Sequence, residues 1–147
     1  MGKYVKGIVA VAVTFLAINT QAQEKAIAVN QMPPAAQEFV KKHYDVKSVS
    51  YVILEDERFS GKEYKVAFTD GTELEFDSKG RWTEIDAQRQ AVPAVIVPEN
   101  IRNYVNQSFP NNKIVQISRS SRKYEVELTS GLDLDFDRNG EFVRIDD

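Results

Sequence analysis

The chain has 147 residues, 42% of them apolar, with no cysteine, one histidine and a formal net charge of −3. That is enough apolar material for the core of one compact domain. The residue counts exclude disulfide staples and a zinc site built from the usual histidine and thiolate ligands, and the acidic balance argues against nucleic acid as a partner.

At the N-terminus Lys3 and Lys6 precede an uncharged apolar run from Gly7 to Ile18, followed by Asn19-Thr20-Gln21-Ala22. This is the layout of a secretory signal peptide. The run is shorter than the ~20 residues that span a bilayer, and Thr20-Gln21-Ala22 supplies the small-x-small pattern read by signal peptidase. Residues 1–22 are therefore expected to be removed after Ala22, leaving no integral membrane segment and a protein exported to the periplasm. Cleavage takes away two lysines and leaves 17 basic and 22 acidic residues, a net charge of −5. With no cysteine to carry a diacylglycerol, no lipid anchor is expected either.

Two helices are predicted next. Pro33 and Pro98 mark the entries, and the apolar stripes Ala36, Phe39, Val40, Tyr44 and Ile101, Tyr104, Val105, Phe109 follow helical spacing at an offset of 65. Behind each helix lies one copy of a repeat. Residues 61–86 and 121–146 align without gaps at an offset of 60, and ten of the 26 positions are identical. The change from 65 to 60 places about five extra residues in the first copy, near Asp56-Glu57-Arg58-Phe59-Ser60, read as a charged loop carrying one aromatic. Residues 87–97, with Pro93 and the triplet Val95-Ile96-Val97, read as a linker that packs.

Side-chain parity fixes the turns inside each copy. Tyr64, Val66 and Phe68 alternate on one strand and Leu74 and Phe76 on the next, so the connection must put both sets on one face. A two-residue turn puts Leu74 opposite Ala67 and fails. A three-residue loop, Thr69-Asp70-Gly71 with the glycine left-handed, pairs Val66 with Leu74 and Tyr64 with Phe76. Thr129-Ser130-Gly131 does the same for Val126 with Leu134 and Tyr124 with Phe136. The next turns, Ser78-Lys79-Gly80 and Arg138-Asn139-Gly140, set Trp82 beside Phe76 and Phe142 beside Phe136. Beyond them Ile85 and Ile145 fall on the wrong face, which requires either a bulge or a covered second face.

With strands near 46–54 and 113–118 added, the expected fold is α+β: a tandem duplication of a helix plus a four-stranded antiparallel meander. The units run over residues 23–90 and 91–147, with two small sheets edge to edge, helices on one side and a polar face on the other. The unit Tyr-x-Val-(x)4-Gly-(x)2-Leu-x-Phe-Asp-(x)2-Gly-(x)4-Ile-Asp, present twice behind a signal peptide, resembles the PepSY-like family of periplasmic proteins. That resemblance implies a fold similar to the β-lactamase inhibitor protein and brings no catalytic residue onto this chain.

The residues themselves give little for catalysis. Nucleophilic chemistry needs an activated Ser, Thr or Cys with a base, and His43 near the end of the first helix is the only histidine. The carboxylates are more informative. Glu73, Glu75, Asp77 and Asp133, Asp135, Asp137 alternate with buried Leu and Phe, so they share the polar face. The hairpin register puts Lys65 opposite Glu75 in the first copy, but Glu125 opposite Asp135 and Glu127 opposite Asp133 in the second. Opposed like charges cost up to about 1 kcal/mol, so Glu125, Glu127, Asp133 and Asp135 form a candidate Ca²⁺ site or a surface for a basic partner. The bland alternative is a solvated acidic face relieved by Arg122, Lys123 or Arg144. An EF-hand is excluded, since Arg138 stands where the loop glycine belongs.

Arg58 and Phe59, without counterpart in the second copy, are candidate anchors for a partner, while Trp82 and Phe142 are expected in the core. The function expected is thus a non-enzymatic periplasmic module binding an envelope protein or peptide through its polar sheet face or the 55–62 loop. A calcium-responsive envelope protein is the alternative.

Overall fold

Period-2 alternation and glycine turns dominate the sequence, and in the computed structural model, which describes residues 22–146, they produce one antiparallel sheet. Its nine strands are β1 (Ala22–Ile27), β2 (Val49–Glu57), β3 (Gly61–Phe68), β4 (Glu73–Phe76), β5 (Trp82–Asp86), β6 (Ile114–Arg119), β7 (Lys123–Leu128), β8 (Asp133–Asp137) and β9 (Phe142–Asp146). They lie in the sheet in chain order, each paired with the next. Two ten-residue helices, α1 (Pro34–His43) and α2 (Glu99–Ser108), begin behind Pro33 and Pro98, whose extended backbone sets the entry. The signal-peptide segment falls, except for Ala22, outside the described residues.

The registers follow the parity argument. Tyr64 pairs with Phe76 and Val66 with Leu74, and in the second half Tyr124 pairs with Phe136 and Val126 with Leu134. Gly71 and Gly131 hold φ of +93° and +89° at the ends of the two three-residue loops. The parity break downstream is resolved by a bulge. Glu75 pairs with Glu84 but Phe76 with Trp82, so Thr83 is the extra residue; Val143 is its counterpart between Arg144 and Phe142. The bulge returns Ile85 to the apolar face, opposite Leu74.

That face carries the core. Ala36 and Val40 from α1, Ile101 and Val105 from α2, and Val66, Leu74, Phe76, Ile85, Ile117, Val126, Leu134 and Phe136 from the strands form one buried cluster. Each such Val, Leu, Ile or Phe side chain is worth about 1.5–3 kcal/mol of transfer free energy. Both helices lie on the same side, Phe39 meeting Phe76 edge-on at 5.6 Å and Tyr104 meeting Phe136 at 5.5 Å.

Two expectations change, and one strand is added. The two sheets are one, because β5 and β6 pair directly, Ile85 opposite Ile117. The five extra residues are not a loop: they lengthen the β2–β3 hairpin, where Asp56 pairs with Lys62 and Glu57 with Gly61, leaving only Arg58-Phe59-Ser60 as the turn. This longer arm is the surface on which β1 lies, Ala22 opposite Glu57 through Ile27 opposite Val52. The 87–97 linker packs as expected, burying Ala87, Val92 and Val97 while leaving Val95 exposed. Backbone bonds from Ala87 and Val92 to Val115 and Ile114 tie it down.

Candidate functional site

The side of the sheet away from the helices is polar. On β7 the alternation directs Lys123, Glu125 and Glu127 there, and on β8 Asp133 and Asp135, with Glu125 opposite Asp135 and Glu127 opposite Asp133. Gln116 and Ser118 from β6 and Asp146 from β9 complete the lining of a shallow groove of about 250 Å³. The structure therefore brings together all four carboxylates singled out in the sequence and adds Asp146, which sits opposite Asp133.

The charges are partly relieved, as in the bland alternative. Lys123 Nζ contacts Glu125 Oε1 and lies 3.6 Å from Asp135 Oδ2, and Arg144 Nε stands 3.0 Å from the same oxygen. Lys123 reaches Asp135 diagonally along β7, whereas Arg144 is its direct cross-strand neighbour on β9. Asp135, only 4% exposed, is held by two cations and is not a repelled charge. The hydrogen bond from Lys123 to Glu125 is the first cause that raises the ammonium pKa above its usual range. Among the described residues Glu127, Asp133 and Asp146 have no ion-pair partner, so the groove keeps an excess of negative charge. No three acidic or histidine side chains among the described residues converge closely enough to hold one metal ion.

The same face in the first half differs. Lys65 Nζ bonds Glu75 Oε1 at 3.4 Å, and Glu75 opposes Glu84 on its other side. Burial first, then the Glu75 charge, push the Glu84 carboxyl up, although Gln116 Nε2 donates to its Oε1. Burial and the Glu75, Glu57 and Glu55 charges likewise raise Glu63.

Other residues take different roles. Asp77 and Asp137 belong to the turns, Asp77 Oδ1 accepting from Lys79 and Arg81 N–H and Asp137 Oδ1 from Asn139 and Glu141 N–H. Phe59 is 96% exposed at the β2–β3 tip beside exposed Arg58, three strands away from the groove in sheet order. His43 leans on Phe39 at 4.6 Å, with burial and Lys42 lowering its pKa. Trp82 is core, but Phe142 is 36% exposed and stacks on Tyr104 at 4.5 Å.

One group escaped the sequence reading. The Tyr44 hydroxyl is buried without a hydrogen-bond partner, and burial and Asp70 push its pKa up to about 12. Only its replacement by Phe109 in the second half hinted at this.

With this geometry in place, a family described as "Putative beta-lactamase-inhibitor-like, PepSY-like" matches residues 62–144, from β3 into β9. The chain belongs to the PepSY-like family. Solved structures of similar fold cover most of this chain. A protein of Bacteroides thetaiotaomicron named "putative calcium-regulated periplasmic protein" is 38% identical, with a TM-score of 0.81 over 84% of this chain and 97% of its own. A Bacteroides vulgatus protein named "putative periplasmic protein from DUF2874 family" is 40% identical, with a TM-score of 0.80 over 85% of this chain and 98% of its own. Another B. vulgatus protein, named "putative periplasmic protein of unknown function", is 37% identical, with a TM-score of 0.80 over 85% of this chain and all of its own. No curated protein matches the chain. Among the described residues no helix is long and apolar enough to cross a membrane.

Proposed function

We propose that this PepSY-like protein is a non-enzymatic periplasmic binding module that takes a basic segment of an envelope protein or peptide on its polar sheet face. The observation that carries this reading is the β6–β9 groove, where Glu127, Asp133 and Asp146 keep their charge unpaired beside the neutralised Asp135. A Lys- or Arg-rich strand laid there would supply the missing cations, and the attraction would weaken with salt. The exposed Phe59 and Arg58 at the β2–β3 tip are a second anchor for the same class of partner. The matching registers of β2–β5 and β6–β9 favour descent from a tandem duplication, and the periplasmic relatives favour export of this chain by residues 1–22.

The test is binding of a fluorescent Lys-rich peptide to the purified protein and to Glu127→Lys/Asp133→Lys. Salt-sensitive binding lost in the double variant supports the groove, and equal binding by both proteins rejects it.

A second reading is calcium regulation at the acidic patch of the second half, favoured by the name of the B. thetaiotaomicron relative; the carboxylates there would have to draw closer than they stand in this structure to share one ion. Calcium at 100 times its dissociation constant would stabilise the fold by about 2.7 kcal/mol, so a melt unmoved by millimolar calcium removes this reading.

A further inference from the structure

The two halves end on corresponding strands, β5 and β9. Each follows a glycine turn, sets an aromatic opposite a buried Phe, bulges by one residue, and places an isoleucine opposite a buried Leu: Trp82 and Ile85 in one, Phe142 and Ile145 in the other. Their outer edges differ. β5 is covered by β6, with Ile85 opposite Ile117, Glu84 opposite Ser118 and Asp86 opposite Gln116. Arg119 of β6 lays its guanidinium 3.9 Å above the Trp82 ring and donates from Nε to the Trp82 carbonyl at 2.7 Å. Ile85 is consequently fully buried and Trp82 7% exposed. Among the described residues no strand covers the outer edge of β9, where Phe142, Val143 and Ile145 are 36%, 57% and 46% exposed.

We infer that this edge is a homodimer interface, in which β9 pairs antiparallel with β9 of a second copy about a two-fold axis through Ile145 and the sheet continues across both chains. An axis perpendicular to the sheet keeps each side chain on its own face, so the pairing can centre only on a residue. Centring on Arg144 opposes two arginines, and centring on Asp146 opposes two aspartates. Centring on Ile145 sets the isoleucines together on the apolar face, as Ile85 meets Ile117, and places Arg144 opposite the partner's Asp146 twice over on the polar face.

Asp146 lies opposite Asp133 within its own chain, and no ion pair engages it among the described residues; in the dimer the second copy's arginine takes this carboxylate, and Glu127 and Asp133 are left for the basic segment. Arg144 holds Asp135 through a side chain still 61% exposed, so it can reach the second carboxylate. The bulge at Val143 is no obstacle, because the same bulge at Thr83 coexists with the β5–β6 ladder. The other sheet edge lacks this self-complementarity. Gln23, Glu24, Lys25 and Ala26 of β1 are all exposed, and no centre on that strand opposes unlike charges.

The test is the mass of the purified protein by light scattering and sedimentation across the micromolar range. The wild type should reach the dimer mass as concentration rises. Asp146→Arg and Arg144→Asp should each remain monomeric, and an equimolar mixture of the two should recover the dimer, since every opposed pair is then of unlike charge. Because the chain has no cysteine, Ile145→Cys should cross-link to itself on mild oxidation, and Val95→Cys, at an exposed linker site, should not. This arm reads the same register even if Arg144→Asp unfolds through its bond to Asp135. A wild type monomeric at every concentration, a dimer that survives Asp146→Arg, or equal cross-linking at both cysteines would overturn the inference.

Discussion

β5 and β9 carry the same pattern of turn, bulge and side-chain alternation, yet Ile85 is fully buried and Ile145 is 46% exposed. The difference lies in the neighbour each strand has, not in the strand. β6 closes over β5, and the packed 87–97 linker anchors to β6 beside it. The polar face differs for another reason. The same bulge aligns Glu84 with Glu75 and Arg144 with Asp135, so residue identity leaves Glu75 with one lysine and clamps Asp135 between Lys123 and Arg144. Equivalent positions thus acquire different energetics on the apolar face from the neighbouring strand, and on the polar face from the side chain that the register brings opposite.

The sharpest way to break this comparison is truncation at the two isoleucines. Ile85→Ala should cost about 2–5 kcal/mol by opening a cavity, and Ile145→Ala well under about 1 kcal/mol at protein concentrations that keep the chain monomeric. Urea unfolding measures both, and equal losses would mean that β9 is covered in solution by something other than a second copy.

The two halves should agree at the left-handed loop glycines. Gly71→Val and Gly131→Val each force a β-branched residue to positive φ, with an expected loss of about 1–3 kcal/mol. Melts unchanged within a degree or two would overturn the three-residue loop argument.

The clamped carboxylate comes next. Asp135→Asn leaves Lys123 and Arg144 without their shared partner and should destabilise by about 1–2 kcal/mol, discounted because both cations reach solvent. The sequence alone pointed the other way, to relief of a repelled charge. Glu75→Gln, at a half-exposed pair, should change stability by less than about 1 kcal/mol.

Tyr44 and Phe109 offer a pH-dependent contrast. The folded pKa of Tyr44 is raised above 10 to about 12, so the unfolded chain ionises first and stability falls as pH rises from 10 towards 12. Tyr44→Phe should remove that loss and be neutral or slightly stabilising at pH 7, as chemical denaturation across this pH range would show.

The smallest effect belongs to Glu84. Its carboxyl is raised above 4.5 in the folded state by burial and Glu75, so ionisation costs stability at neutral pH and nothing below the unfolded value of 4.5, where both states are protonated. Glu84→Gln should therefore stabilise by a few tenths of a kcal/mol, up to about 1, at pH 7, and the gain should vanish at pH 3.5.

The sequence by itself determined the repeat, the two helix entries, the three-residue loops and the face on which each side chain falls. These follow from local rules: φ/ψ preferences of glycine and proline, and the two-residue period that ties every position on a strand to its neighbours. It also located the four carboxylates of the groove, because hairpin register is set by the turn. What only the tertiary structure decided was longer in range. β1 forms from a stretch of weak strand propensity because the lengthened β2–β3 arm offers a free edge to pair with. The sheets merge because β5 and β6 meet across a 27-residue gap that no local pattern spans. Arg144 neutralises Asp135 because a bulge, visible in the sequence only as a failure of parity, shifts one strand by one residue. Local periodicity fixes which way a side chain points, but its neighbour across the sheet depends on how distant strands are brought together.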